Sequence, residues 1–202
     1  MVGIVLAAGA AERMGRPKQL LPLAGTTLID VVVQRALASR LPRLVVVTGA
    51  SHTAVAAAIA PRNVEIVHNA SYLEGNLSSL RAGAAAVGDA EAVVILLSDM
   101  PGVAPECING MIEAWDRFHP WAAVASYPEG EGHPLLLSRT ALERSLSLEG
   151  PKALWRMLRL APHGEVAHVE FDTAMPIDVD TPHDYEVLLG AWPRVETRPG
   201  SR

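Results

Sequence analysis

The chain has 202 residues, half of them hydrophobic but only 4% aromatic, with 17 basic against 22 acidic side chains and a net charge of −5. That length suits one domain with a full core, and 19% charged residues argue against disorder. The acidic balance and pI near 5.8 exclude a broad nucleic-acid surface, which needs surplus Lys and Arg.

The single Cys107 rules out an intrachain disulfide or multi-cysteine metal centre and points to a reducing cytoplasm. No apolar run reaches the roughly 20 residues of a membrane span, and the run after Met1 lacks a basic n-region. Neither membrane nor nucleic acid is an expected partner.

Aliphatic runs at 3–7, 44–48, 64–67, 93–97, 122–126, 135–137 and 166–169 predict strands, buried on both faces as in a parallel sheet. Between them, 28–39, 53–60, 77–86, 105–117 and 151–160 carry helical spacing or good helix formers. The alternation predicts an α/β fold, a doubly wound, mostly parallel sheet with helices on both faces. One domain is expected over 1–192, its nucleotide-binding half about 1–118 and its acceptor-facing part about 119–175. The chain is expected to return to the sheet at 176–179 and to end in a flexible tail, 193–202.

The first strand leads into Ala8-Gly9-Ala10-Ala11-Glu12-Arg13-Met14-Gly15-Arg16-Pro17-Lys18. A loop leaving the carboxyl end of the first parallel strand is where such folds bind ligands. Small residues leave N–H groups free to cradle phosphate, and Arg13 and Lys18 supply local positive charge. A Walker A loop is excluded, because five residues separate Gly9 from Gly15 and Arg16-Pro17-Lys18 follows. Ala11 stands where the second glycine of a dinucleotide fingerprint would be.

Residues 6–25, LAAGAAERMGRPKQLLPLAG, resemble the signature loop of MobA-like NTP transferases, and molybdenum cofactor cytidylyltransferases in particular. The resemblance implies a Rossmann-like nucleotidyltransferase fold in which Leu6, Ala7, Ala8 and Gly9 hold nucleotide phosphates. It also implies that Arg13 and Lys18 neutralise charge as pyrophosphate leaves.

The run at 93–97 ends in Ser98-Asp99-Met100-Pro101, which puts Asp99 at a strand tip facing the same crevice. A carboxylate there suits Mg²⁺ beside a triphosphate. Further on, Asp178-Val179-Asp180-Thr181-Pro182-His183-Asp184-Tyr185 places Asp178 and Asp180 on one side of an extended segment. Thr181, Pro182 and Asp184 read as the capped start of a closing helix. This stretch resembles the family's Asp-x-Asp-Thr-Pro-x-Asp-Tyr motif, which implies that Asp99 and either Asp178 or Asp180 bind the metal, with Asp178 favoured.

Residues 68–83 resemble a family stretch that borders the nucleobase, which implies binding by Asn69, Ser78 and Ser79; on propensity alone the stretch is a loop with a helix start at Asn76 or Ser78. Gly132-His133-Pro134 resembles a segment lining the acceptor side, assigned here with Pro101. The stretch 147–154 only partly matches the family's Gly-Asp-x-Gly-Ala-Arg segment.

The resemblance implies Mg²⁺-dependent transfer of a nucleoside monophosphate from an NTP to an acceptor phosphate. Ala8 stands where guanylyltransferase relatives carry a second Gly, which favours CTP over GTP and molybdopterin as the acceptor, with a molybdoenzyme as a downstream partner. The alternatives are a cytidylyltransferase for a sugar or polyol phosphate and a non-catalytic molybdenum cofactor carrier. No G-x-S-x-G elbow or Cys–His pair suggests a covalent nucleophile.

Overall fold

A computed structural model describes residues 1–9, 14–150 and 152–192. Arg13, Pro151 and the tail 193–202 therefore lie outside the described residues. In chain order the elements are β1 (Val2–Ala7), β2 (Pro22–Leu23), β3 (Thr26–Thr27), α1 (Leu28–Ala38), β4 (Leu44–Thr48), α2 (His52–Ile59), β5 (Glu65–His68) and α3 (Asn76–Val87). They continue with β6 (Ala92–Leu97), α4 (Pro105–Phe118), β7 (Ala122–Tyr127), β8 (Gly130–Ser138), α5 (Arg139–Leu146), α6 (Ala153–Arg159), β9 (Val166–Glu170) and α7 (Pro182–Ala191).

The central sheet has strand order β5-β4-β1-β6-β8-β7-β9. All neighbours pair in parallel except β8, which runs antiparallel to β6 and β7. The expected α/β, mostly parallel sheet is the one found. From β1 the chain first winds outward through β4 to β5, then crosses to the other flank at β6. The switch point thus lies between β1 and β6, and loops leaving their carboxyl ends diverge to open a crevice.

Side-chain alternation divides the core between the two faces of the sheet. Val5, Val46, Val94 and Leu136 pack under α1, α2 and α4 through Ile29, Val55, Ile59 and Met111. On the other face Ile4, Val47, Ile95 and Leu135 pack against Leu80 of α3, Leu142 of α5 and Met157 of α6. α3 lies close enough that a Cβ on Gly83 would stand 2.8 Å from Ile4 Cγ2 and 3.1 Å from Val47 Cγ2.

Two expectations are corrected. Residues 176–179 form no strand and do not rejoin the sheet: the far flank of β6 is already paired with β8, and the segment passes over the strand ends with one main-chain bond, Val179 N–H to Asp99 C=O at 3.0 Å. The short run at 135–137 is the end of a nine-residue strand, β8. Its pairing runs Val124 with Leu135 but Ala125 with Gly132, so His133 and Pro134 are extra residues in a bulge. A bulge accommodates a proline and re-aims the side chain beside it. Helix α5, not expected, is capped by Ser138, whose hydroxyl accepts the Ala141 N–H at 3.2 Å.

Two glycine-to-alanine substitutions in helices should act in opposite directions. Gly83→Ala forces a methyl against two strand side chains and should destabilise by about 1–3 kcal/mol. Gly190→Ala in α7 meets nothing within 4 Å and should be neutral or stabilising by up to about 1 kcal/mol. Thermal melts of the two variants check this; a Gly83→Ala protein as stable as the parent would contradict the packing.

Candidate active site

Three distant parts of the chain meet at the switch point. Lys18 lies in a single 3-10 turn, Lys18–Leu20, that follows the β1 loop. Asp99 leaves the end of β6, and Asp178 and Asp180 arrive on the extended segment before α7. That segment is set by the capping box of α7: Thr181 N–H donates to Asp184 Oδ2 at 2.7 Å and Asp184 N–H donates to Thr181 Oγ1 at 3.2 Å. Asp180 N–H donates to the same Asp184 oxygen at 3.2 Å.

The carboxylates of Asp99, Asp178 and Asp180 each offer an oxygen, and the three oxygens lie within 4.8 Å of one another. Oxygens around one hard cation are about 3–5 Å apart. Lys18 Nζ is 2.5 Å from Asp99 Oδ2 and 2.7 Å from Asp180 Oδ1. Burial alone would push the Lys18 ammonium down, but Asp99 and Asp180 outweigh it and raise its pKa. Asp178 keeps solvent access, yet desolvation, then Asp99 and Asp180, push its carboxyl up to about 6, against the opposing pull of Lys18. Asp99 Oδ1 is buried and has no hydrogen-bond partner among the described residues. An orphaned buried oxygen beside two further carboxylates fits a divalent cation, since oxygen donors are what such ions take.

The loop positions are held from behind. Gln19, almost fully buried, donates through Nε2 to Gly9 C=O at 2.9 Å and to Ala7 C=O at 3.5 Å. Ala8 C=O accepts the Ala50 N–H at 3.3 Å, and a Cβ on the adjoining Gly49 would stand 2.5 Å from that same carbonyl. Arg35 donates to Gly102 C=O at 2.9 Å and stacks over Trp192 at 4.7 Å, tying the turn after Asp99 to α1 and to the end of α7.

A cleft of about 1200 Å³ opens beside these groups. Leu6, Gly132, His133, Asp178 and Asp180 line it, as does Arg81, whose guanidinium donates to Leu146 C=O and Leu148 C=O, both at 2.9 Å. Pro101 does not line it; its neighbour Met100 does. Asn69, Ser78 and Ser79 are also not on the wall. They are buried, and Asn69 Nδ2 donates to Ser78 Oγ at 2.8 Å and Ser79 Oγ at 3.1 Å. Here they brace the start of α3, whose Asn76 and Leu77 form the wall instead. Arg13 lies outside the described residues. Gln19, Arg81, Glu131 and Trp155 were not singled out in the sequence; Gln19 and Arg81 lie inside the family-like stretches 6–25 and 68–83, while Glu131 and Trp155 adjoin Gly132 and the 147–154 stretch.

His133, aimed inward by the bulge, is buried; its Nδ1 is 3.5 Å from Ile95 C=O, and its own C=O accepts the Tyr127 hydroxyl at 2.7 Å. Burial pushes its pKa down to about 4, with Ile95 C=O and Asp99 only partly offsetting it.

A cation set among carboxylates at a switch point serves phosphorus-centred transfer from a nucleotide, and the chain is a nucleotidyltransferase. Residues 3–169 match the MobA-like NTP transferase domain, and the chain belongs to that family. It is 28% identical to the purine catabolism protein PucB of Bacillus subtilis over 95% of this chain and 97% of that one. It is also 28% identical to the molybdenum cofactor cytidylyltransferase of Escherichia coli, over 90% of this chain and 92% of the relative. A crystal structure of Rv0371c from Mycobacterium tuberculosis in complex with manganese is 33% identical and superposes with a TM-score of 0.82, covering 95% of this chain and 98% of the other. Among the described residues no helix is long and apolar enough to cross a membrane.

Two outcomes test the electrostatics. Because the folded His133 value lies below the ordinary 6.5, stability from keeping the ring neutral is full above about pH 6.5 and is lost as pH falls toward 4. Its NMR ring signals should stay fixed from pH 8 to about pH 5, and a midpoint near 6.5 would contradict its burial. Lys18→Met should destabilise the metal-free protein by about 1–3 kcal/mol in denaturant melts, because the carboxylates lose their counter-charge.

Proposed function

We propose that this enzyme transfers CMP from CTP to the terminal phosphate of an acceptor of the molybdopterin type, releasing pyrophosphate. The observation that carries this reading is the meeting of Lys18 with Asp99, Asp178 and Asp180 beside the β1 loop. The acceptor phosphate oxygen bonds to the α-phosphorus as the bond to the β-phosphate oxygen breaks. The 28% identity to a molybdenum cofactor cytidylyltransferase over 90% of this chain supports the substrate pair, and a cytoplasmic setting fits a chain with one cysteine.

Asp99, Asp178 and Asp180 would hold the divalent cation, Mg²⁺ in this reading. When bound, it neutralises charge on the α-phosphate and the leaving pyrophosphate. The manganese in the Rv0371c crystal structure supports a divalent ion. In the β1 loop, the main chain around Ala8 and Gly9 cradles phosphate oxygens, held in place by Gln19. Lys18 and Arg13 neutralise the pyrophosphate as it departs. Gly132 and His133 border the acceptor, and the neutral imidazole leaves the acceptor phosphate free of a fixed cation there.

Pyrophosphate release should require an acceptor phosphate and a divalent ion, and should be faster with CTP than with GTP. Asp99→Asn should lower kcat about 10²–10³-fold while its melting curve stays cooperative. A carrier protein would instead retain its binding in that variant. Absence of pyrophosphate release with every pterin or sugar phosphate tried would overturn the reading.

A further inference from the structure

Lys18 draws on the same carboxylates that fit the divalent ion. Its main chain is pinned in the turn Lys18–Leu20: Leu20 N–H donates to Pro17 C=O at 3.0 Å and Leu21 N–H donates to Lys18 C=O at 3.1 Å. The next side chain, Gln19, is buried and bonded to Gly9 C=O at 2.9 Å. From that fixed base a flexible four-carbon stem carries the ammonium to Asp99 Oδ2 at 2.5 Å and Asp180 Oδ1 at 2.7 Å. The match is incomplete. Lys18 contacts two of the three carboxylates, and Asp99 Oδ1 stays buried without a hydrogen-bond partner among the described residues. An ammonium brings one charge and three N–H donors, whereas a divalent ion takes six or more oxygens and brings two charges. Two cations a few ångströms apart on shared carboxylates repel each other. Ion and ammonium therefore compete for Asp99 and Asp180.

We propose that Lys18 is an exchangeable counter-cation that couples the ion to the nucleotide. Its ammonium holds Asp99 and Asp180 until a divalent ion takes them, and the released charge passes to the triphosphate. The exchange moves a side chain only, because the turn beneath it is pinned. Without a polyphosphate the ion must evict the ammonium into solvent, so the ion alone binds weakly. With phosphates beside Ala8 and Gly9 the evicted ammonium gains a charge-assisted partner. Ion and nucleotide then bind with positive coupling, each raising the affinity of the other by the same factor. The second step rests on the nucleotidyl-transfer reading; the competition for the carboxylates does not.

The probes are Mn²⁺ alone and CTP with Mn²⁺, titrated by calorimetry on the full chain at about 0.15 M salt, where exposed charges more than about 8 Å apart are largely screened. Lys18→Met should bind Mn²⁺ alone about tenfold tighter than the parent, and CTP with Mn²⁺ about tenfold weaker. Opposite shifts separate exchange from a structural role, since a damaged site loses both ligands. Lys18→Gln, which keeps a donor without the charge, should repeat both shifts and stands in if Lys18→Met does not melt cooperatively. Lys152→Met removes a cation from the wall of the same cleft and should leave the Mn²⁺ affinity within about twofold of the parent. Unchanged or weaker Mn²⁺ binding in the folded Lys18 variants, or an equal gain in Lys152→Met, would overturn the exchange. A parent protein that binds Mn²⁺ but not CTP would overturn the transfer reading and with it the second step, while the Mn²⁺ comparison still decides the first.

Discussion

Three carboxylates within 4.8 Å of one another repel, and the arrangement is held because a lysine ammonium sits against two of them. That contact sets the shape of the molecule at its functional end. Lys18 and Asp180 are 162 positions apart, so their ion pair fastens the end of the chain across its beginning. The β1 loop, the tip of β6 and the approach to α7 are consequently registered to one another. Where the charges meet they are shielded from solvent, Lys18 and Asp99 keeping only 13% and 14% side-chain exposure, so their attraction is little screened. The same site that fits a divalent cation thus carries an internal cation of its own.

The sheet divides its labour along its width. On the side of β1, β4 and β5 all strands are parallel, and the carboxyl ends of β1 and its parallel neighbour β6 present a loop and Asp99 to the crevice. Across β6 the reversed strand β8 intervenes, and its bulge turns His133 into the cleft. A parallel strand at that position would have delivered a loop rather than a side chain from mid-strand. The reversal therefore gives the second half of the cleft a rigid wall, and α6, packed beneath it through Met157, brings Trp155 alongside. The half of the sheet beyond β6 differs in kind from the half around β1 for this topological reason.

Much of this was legible because its signals are local. Continuous aliphatic runs identified the strands; the Thr181-Pro182-x-Asp184 pattern announced the start of α7, and its box forms as expected. Period-two geometry brought Asp178 and Asp180 to one side, and both reach Asp99. Signals that depend on remote partners failed. Residues 176–179 look like a strand, yet the edge they would join is occupied by β8. Ser78 and Ser79 look like binding hydroxyls at a helix start, yet Asn69, folded over from the end of β5, uses them. The strand expected at 135–137 extends back through Gly130-Glu131-Gly132-His133-Pro134, which carries no aliphatic run and forms the bulged first part of β8.

Composition, periodicity and caps thus determined the α/β class, most of the helices and strands, and the residue types at the strand tips, because these follow from burial and main-chain geometry within a few residues. Tertiary structure alone decided which tips share a crevice, that Lys18 lies between Asp99 and Asp180, and that Gln19 braces the main chain at Gly9. It also decided that burial lowers the His133 pKa and that Trp155 adjoins its ring. These outcomes depend on strand order and on contacts between residues far apart in the chain, where charge and desolvation act through space and leave no pattern along the sequence.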